Sequence, residues 1–119
     1  MAKIKSFTDL QQSRKLAKIL PLESADMMWT YDFTVNDING INIISNTLKL
    51  EEKDVPAWSL AALLDVIRET IGYTIYGVNN VYMFCNLGDE PWKLETKVYD
   101  NEVDACAEMI EKLHKLNLL

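Results

Sequence analysis

The chain has 119 residues, of which 49% are hydrophobic and 25% are charged, with four glycines and three prolines. This length and composition are typical of one globular domain and argue against a disordered chain. Eighteen acidic residues against twelve basic ones give a net charge of -6. That balance disfavours nucleic acid as a partner, because affinity for phosphate backbones comes largely from Lys and Arg.

The start of the chain lacks the features of a targeting or membrane segment. The residues MAKIKSFTDLQQSRK contain no apolar stretch and no small-residue cleavage site, and no run in the chain approaches about eighteen apolar residues. The basic residues gathered here fit a solvated helix face. We therefore expect a cytoplasmic protein with no membrane partner.

A first helix is predicted over residues 8–20. Thr8, with Gln11 three residues later, matches a capping box, in which side chains satisfy the free amides of the first helical turn. Pro21 marks the end of the helix.

The PLESAD connection that follows carries two acidic residues, Glu23 and Asp26, just before a predicted strand. Their position beside small residues makes them candidate site carboxylates. A helical turn capped by Ser24 or Asp26 is the favoured interpretation.

The segment MWTYDFTV, residues 28–35, predicts a strand with one buried face, because aromatic and β-branched residues alternate along it. The sequence NDING then supplies a turn, and INIIS is expected to return as the second strand of a hairpin. Asp37, Asn39 and Gly40 faintly resemble a calcium loop. The remaining ligands are missing, so a turn is favoured.

A second helix is predicted in VPAWSLAALLDVI, residues 55–67. Asp54 or Val55 would cap it, and Pro56 would occupy its first turn, where a missing amide is tolerated. At helical spacing one apolar stripe, the expected packing face, comprises Leu60, Leu63, Leu64, Ile67 and Ile71.

Trp58 does not share the phase of that stripe. On the helical wheel it projects to the opposite side, beside Ala62 and Asp65. Two alternatives follow. Trp58 is buried because the first turn is irregular, or it forms a contact site with its small neighbours. The candidate interaction residues are therefore Trp58, Ala62 and Asp65.

Three further strands are predicted in YTIY, VYMFCN and WKLETKVYD, with short breaks between them. Consecutive strands with short connections form an antiparallel meander. In the last segment, Trp92, Leu94, Thr96 and Val98 alternate with charged residues, and we expect this apolar side to point inward.

The closing segment predicts the last helix, with Asn101 as its N-cap and Glu108 and Lys112 as an i,i+4 pair. Its apolar stripe comprises Val103, Cys106, Ala107, Ile110 and Leu113. The element order is α-ββ-α-βββ-α. We therefore predict a single α+β domain over residues 1–119, with an antiparallel sheet of about five strands and helices packed mainly on one face.

The sequence contains no motif for catalysis, cofactor binding or metal binding, so we predict no catalytic residue, no cofactor and no metal site. His114, the only histidine, is explained by its place near a helix C-terminus. Cys106 and His114 are separated by about 12 Å of helix, which is beyond hydrogen-bond reach. Cys85 shares its strand phase with Val81 and Met83, which favours a buried structural thiol.

Three blocks resemble, in order and spacing, a group of short uncharacterised proteins from gut anaerobic bacteria that are often encoded in prophages or other mobile elements. The blocks are LAKILPLESADM, VPAWSLAALLDVI and VDACAEMIEKLHKLNLL, and they span most of the chain. The resemblance implies a small accessory protein of a mobile genetic element. It supplies no catalytic or binding residues.

Two functions are consistent with these features. The first is a non-catalytic protein-interaction module, indicated by the acidic composition, the lack of catalytic motifs and the supply of Trp and Tyr. The alternative is a small enzyme or ligand-binding domain with a pocket between sheet and helices. A protein partner or self-association is compatible with either.

Overall fold

The strands in the described part of the chain form two three-stranded antiparallel sheets, with the orders β2-β1-β3 and β4-β5-β6. The computed structural model describes residues 5–32, 37–43, 53–77, 80–86 and 93–119. The helices are α1 (Leu10–Ala17), α2 (Leu60–Thr70) and α3 (Glu102–Lys115). The strands are β1 (Met27–Asp32), β2 (Asp37–Ile43), β3 (Val55–Ala57), β4 (Tyr73–Tyr76), β5 (Tyr82–Asn86) and β6 (Lys93–Glu95). The α+β class is confirmed.

The prediction of one sheet of about five strands was wrong. Residues assigned to the start of the second helix instead form β3, which pairs antiparallel with β1 and places Pro56 opposite Met28. Proline has no N–H to donate, so it is confined to sheet edges, and β3 is an edge of the first sheet. The later strands form their own sheet beyond α2.

The β1–β2 hairpin differs in detail from its prediction. Strand β2 begins at Asp37, so the segment expected to turn is already paired with β1, and the register shifts between Thr30 and Tyr31. The predicted residues Phe33 and Val35 lie outside the described part of the chain. No single face of β1 is fully buried, because its side chains from Met27 to Tyr31 are all half-buried.

Helix α1 is shorter than the predicted range of residues 8–20, since it begins at Leu10 and ends at Ala17. Its N-cap is Asp9, which accepts from the Gln12 amide at 2.7 Å while the Gln12 side chain accepts from the Asp9 amide at 3.1 Å. The capping box is therefore formed by these two residues and not by Thr8 and Gln11. The Thr8 hydroxyl is buried and bonded elsewhere, so it cannot cap the helix.

Helix α2 begins at Leu60, with Ser59 as its N-cap. The predicted start near Pro56 was therefore wrong by a full turn, but the predicted packing face is confirmed. Leu63 and Ile67 are fully buried. The other three residues of the stripe, Leu60, Leu64 and Ile71, are half-buried against the same core.

The second sheet is the predicted meander, in which β5 pairs with both β4 and β6. Val81, Met83 and Cys85 are fully buried, as their shared phase predicted. The inward alternation does not extend to Val98, which is 59% exposed because β6 ends before it. Trp92 lies outside the described residues.

Helix α3 packs against α2 and against β5 of the second sheet, and it supplies much of the core. Asn101 caps it as predicted, accepting from the Asp104 amide at 2.8 Å. The Glu108–Lys112 pair is present at 3.8 Å. Its buried face comprises Val103, Ala105, Cys106, Ala107, Met109, Ile110 and Leu113.

Candidate interaction groove

Three separate segments meet around Trp58. The amide of Thr8 donates to the carbonyl of Trp58 at 2.9 Å, and the amide of Leu60 donates to the carbonyl of Ser6 at 3.0 Å. A bridge between Phe7 and Ser59 lies between these two bonds. The start of the chain is thus paired to the residues that join β3 to α2.

The side chain of Trp58 is fully buried, which is the first of the two alternatives considered for it. Its backbone amide donates to Oγ1 of Thr8 at 3.1 Å, and its indole Nε1 donates to Oγ of Ser24 at 2.9 Å. The Thr8 hydroxyl is also bonded to the hydroxyl of Ser13 at 2.7 Å. The wheel placement failed because Trp58 precedes the helix, so the helical phase does not apply to it.

Asp26 holds the start of α2. Its carboxylate accepts from the Ser59 amide at 2.8 Å and from the Ser59 hydroxyl at 2.5 Å, while Oγ of Ser59 accepts from the Ala62 amide at 3.2 Å. The PLESAD connection does form a helical turn, a 3-10 turn over Leu22–Ser24. Asp26, however, does not cap this turn, because its carboxylate is bonded to Ser59, the N-cap residue of α2.

This 3-10 turn and the outer side of α2 enclose a groove of about 510 Å³. Two of the predicted interaction residues, Ala62 and Asp65, line this groove. The third, Trp58, does not line it but donates a hydrogen bond to Ser24, which does. The full lining of this acidic groove is Pro21, Glu23, Ser24, Ala25, Asp26, Ala61, Ala62, Asp65, Val66 and Glu69.

Four carboxylates surround a lining of small side chains. Asp65 is paired with Arg68 at 3.0 Å, but both side chains are exposed, so water competes strongly with that contact. Glu23 and Glu69 are exposed and form no ion pair with any described residue. Asp26 is the fourth carboxylate and is already bonded to Ser59. The groove therefore offers negative charge that the described cations do not neutralise.

A second cleft, of about 440 Å³, lies between α1 and α3. Here Lys5 donates to Asp104 at 2.7 Å and to Asp9 at 3.1 Å, and Gln12 donates to Asp104 at 2.7 Å. Burial alone would lower the pKa of Lys5, but its bonds to the two carboxylates outweigh this effect and raise it. Lys5 is thus paired with both Asp9 and Asp104, and these contacts attach the start of the chain to α3.

Tyr99 and Glu108 form another internal pair beside this cleft. The Tyr99 hydroxyl donates to Glu108 at 2.7 Å, and the Lys97 amide also donates to the same carboxylate, at 3.1 Å. Burial, reinforced by the bond to Glu108, raises the pKa of Tyr99. Tyr99 therefore stays protonated at neutral pH and acts as a donor that fixes the chain before α3.

The residues most often used in nucleophilic chemistry are poorly placed for it. Burial raises the pKa of Cys85 to about 11 and that of Cys106 to about 12. Both thiols are buried and free, so they are largely protonated and shielded at neutral pH. His114 is exposed on the last turn of α3.

The chain matches no family model, no curated protein and no solved structure. In the described part of the chain, no three His, Cys, Asp or Glu residues are arranged to hold a metal ion. Among the described helices, none combines the length and the apolar character needed to cross a membrane.

The sequence did not reveal two parts of the groove. The wheel placed Ala62 and Asp65 on one side of α2, but nothing local indicated that Glu23 and Asp26 lie opposite them. One usable signal was overlooked. Ser59 directly precedes the apolar run of α2, which is the position and residue type of an N-cap.

Proposed function

We propose that the chain is a non-catalytic protein-interaction domain whose acidic groove binds a basic segment of a partner protein. The observation that carries the proposal is the charge of Glu23 and Glu69, which lie exposed on the two sides of one groove and form no ion pair with any described residue. Opposite charge across an interface speeds association and selects the partner. The partner segment is therefore expected to carry Arg or Lys.

The residues that line the acidic groove suit the side chains of Arg and Lys. Arg and Lys have aliphatic stems that pack on apolar surface while their charged ends remain near carboxylates and water. Ala25, Ala62 and Val66 offer that surface in the groove, and Asp65 and Glu69 lie along the same helix. Arg fits best, because its planar guanidinium can bond a carboxylate through two parallel N–H groups.

The groove is also rigidly supported, which favours binding because little ordering is needed when the partner arrives. Ser24 is bonded to the buried Trp58, and Asp26 is bonded twice to Ser59. Both sides of the groove are therefore fixed to the core. The alternative function required a pocket between sheet and helices, whereas this groove lies between a 3-10 turn and α2.

The biological setting rests on the sequence resemblance. That resemblance supports an accessory protein of a mobile genetic element, which acts by binding another protein. A location in the cytoplasm stays a prediction.

Selection from a random peptide library tests the proposal. Peptides selected on the wild-type protein should be enriched in Arg and Lys. The enrichment should disappear on the double variant Glu23→Gln/Glu69→Gln and persist on the matched variant Glu102→Gln/Glu111→Gln, which removes the same charge from α3. Equal enrichment on both variants would disprove a role for the groove.

A further inference from the structure

One cation of the chain itself contacts the acidic groove. Nη1 of Arg68 donates to the carboxylate of Asp65 at 3.0 Å, and Asp65 lines the groove. Among the described residues, no other Lys or Arg forms an ion pair with a groove carboxylate. Arg68 therefore presents to the groove the same guanidinium group that the proposed function expects from a partner.

Arg68 reaches the groove from its edge. At 3.6 residues per turn, Arg68 projects about 60° to one side of Asp65 around α2, and Glu69 projects about 40° to the other. Glu69 lines the groove and Arg68 does not. The Arg68 side chain is 64% exposed. It can therefore move away from Asp65 without disturbing the core.

A second contact orients the guanidinium. Nη2 of Arg68 donates to the hydroxyl of Tyr73 at 3.3 Å, and the side chain of Tyr73 packs against the core. An exposed ion pair is weak partly because it must order two mobile side chains. A fixed hydroxyl beside the guanidinium reduces that cost, so Tyr73 favours the contact between Arg68 and Asp65.

We propose that Arg68 is an internal competitor for the partner: it occupies Asp65 in the free protein, and a cation of the partner gains Asp65 only by displacing it. This inference rests on the proposed function, since it concerns the same groove. Glu23 and Glu69 are the carboxylates that Arg68 leaves open for the first contact. Arg68 thereby lowers the affinity of the groove for basic segments.

A double-mutant cycle with a fluorescent hexa-arginine peptide tests this role. Arg68→Gln should lower the peptide dissociation constant about two- to fivefold, which is the range expected for the loss of an exposed ion pair. Arg14→Gln is the matched control, because it removes the same charge from an exposed position on α1. Its effect on the dissociation constant should be smaller.

The cycle is completed by Asp65→Asn. In the wild-type background this substitution should weaken binding little, because Arg68 already occupies the carboxylate. In the Arg68→Gln background Asp65 is free, so the same substitution should raise the dissociation constant by a factor at least twice as large. Long-range electrostatics without competition predicts equal losses in the two backgrounds.

The outcomes separate this inference from the function on which it rests. Equal losses from Asp65→Asn in both backgrounds, or equal gains from Arg68→Gln and Arg14→Gln, would overturn the role of Arg68 and leave the groove function intact. Absence of saturable peptide binding in the wild type would overturn the proposed function, and this inference with it. Circular dichroism checks that each variant is folded. A folded Arg68→Gln protein that binds no more tightly would show that Arg68 only joins α2 to β4.

Discussion

The indole Nε1 of Trp58 donates a hydrogen bond to Oγ of Ser24 at 2.9 Å, and this bond connects the core to the lining of the acidic groove. The Ser24 hydroxyl in turn donates to the carbonyl of Pro21 at 2.6 Å. The 3-10 turn is therefore fixed at the same hydroxyl that satisfies the buried indole. Stability of the core and shape of the groove depend on one another at this point.

Removing the acceptor should destabilise the protein. Ser24→Ala leaves the Trp58 Nε1 without its partner, and we expect the free energy of unfolding to fall by about 1–2 kcal/mol. Ser6→Ala is the matched control, because its hydroxyl is exposed and forms no bond with a described residue. Urea denaturation measures both. An equal loss for the two variants would show that the Trp58–Ser24 bond has no special role.

Truncating Trp58 should have a much larger effect. Trp58→Ala removes a fully buried aromatic side chain, and the free energy of unfolding should fall by about 3–5 kcal/mol. Trp58→Phe keeps most of the volume but loses the Nε1 donor, so its loss should be smaller. Denaturant unfolding followed by circular dichroism measures both. A Trp58→Ala protein as stable as the wild type would contradict the buried placement.

The turn after β4 should depend on glycine. Gly77 has a φ of 95°, and an added Cβ would collide with the backbone carbonyl of Asn80. Gly77→Ala should therefore reduce the free energy of unfolding by about 1–2 kcal/mol or more. Gly72→Ala is the control, since a Cβ there meets nothing within 4 Å. Thermal or urea unfolding distinguishes them, and similar losses would argue against this turn geometry.

The contact between the start of the chain and α3 should weaken in acid. Burial would raise the pKa of Asp104, but its bonds from Lys5, Asn101 and Gln12 outweigh burial and lower the pKa. A carboxyl whose pKa is lower in the folded state adds stability above its unfolded pKa, about 3.9. This contribution disappears as the pH falls through the folded pKa.

Asp104→Asn should therefore be less stable than the wild type at pH 7, and the difference should shrink below about pH 4. Urea unfolding of both proteins at pH 7, 5 and 3 measures it. A difference that is the same at every pH would mean that the charge of Asp104 does not contribute.

Local features of the fold were predictable from the sequence. The cap at Asn101 and the apolar stripe of α3 were found because a helix fixes the spacing of its own contacts. Cys85 was placed in the core by strand alternation alone. Pro56 misled the prediction, because proline is equally acceptable at a helix start and in an edge strand. Only pairing with β1 decides between them.

Features that depend on distant residues were not predictable. The four carboxylates of the groove come from two segments that are separated by the whole first sheet in sequence, and neither segment indicates the other. The contacts of Trp58 were equally unpredictable, since its partners Thr8 and Ser24 are 50 and 34 residues away in the sequence. Division of the strands into two sheets likewise depends on tertiary pairing.

The most direct test of the acidic groove is a nuclear magnetic resonance titration of the ¹⁵N-labelled protein with a hexa-arginine peptide. Saturable shifts are predicted for amides of residues 23–26 and 61–69, and they should be abolished in Glu23→Gln/Glu69→Gln but kept in Glu102→Gln/Glu111→Gln. Shifts spread over all acidic surfaces, or concentrated in the cleft between α1 and α3, would contradict the account.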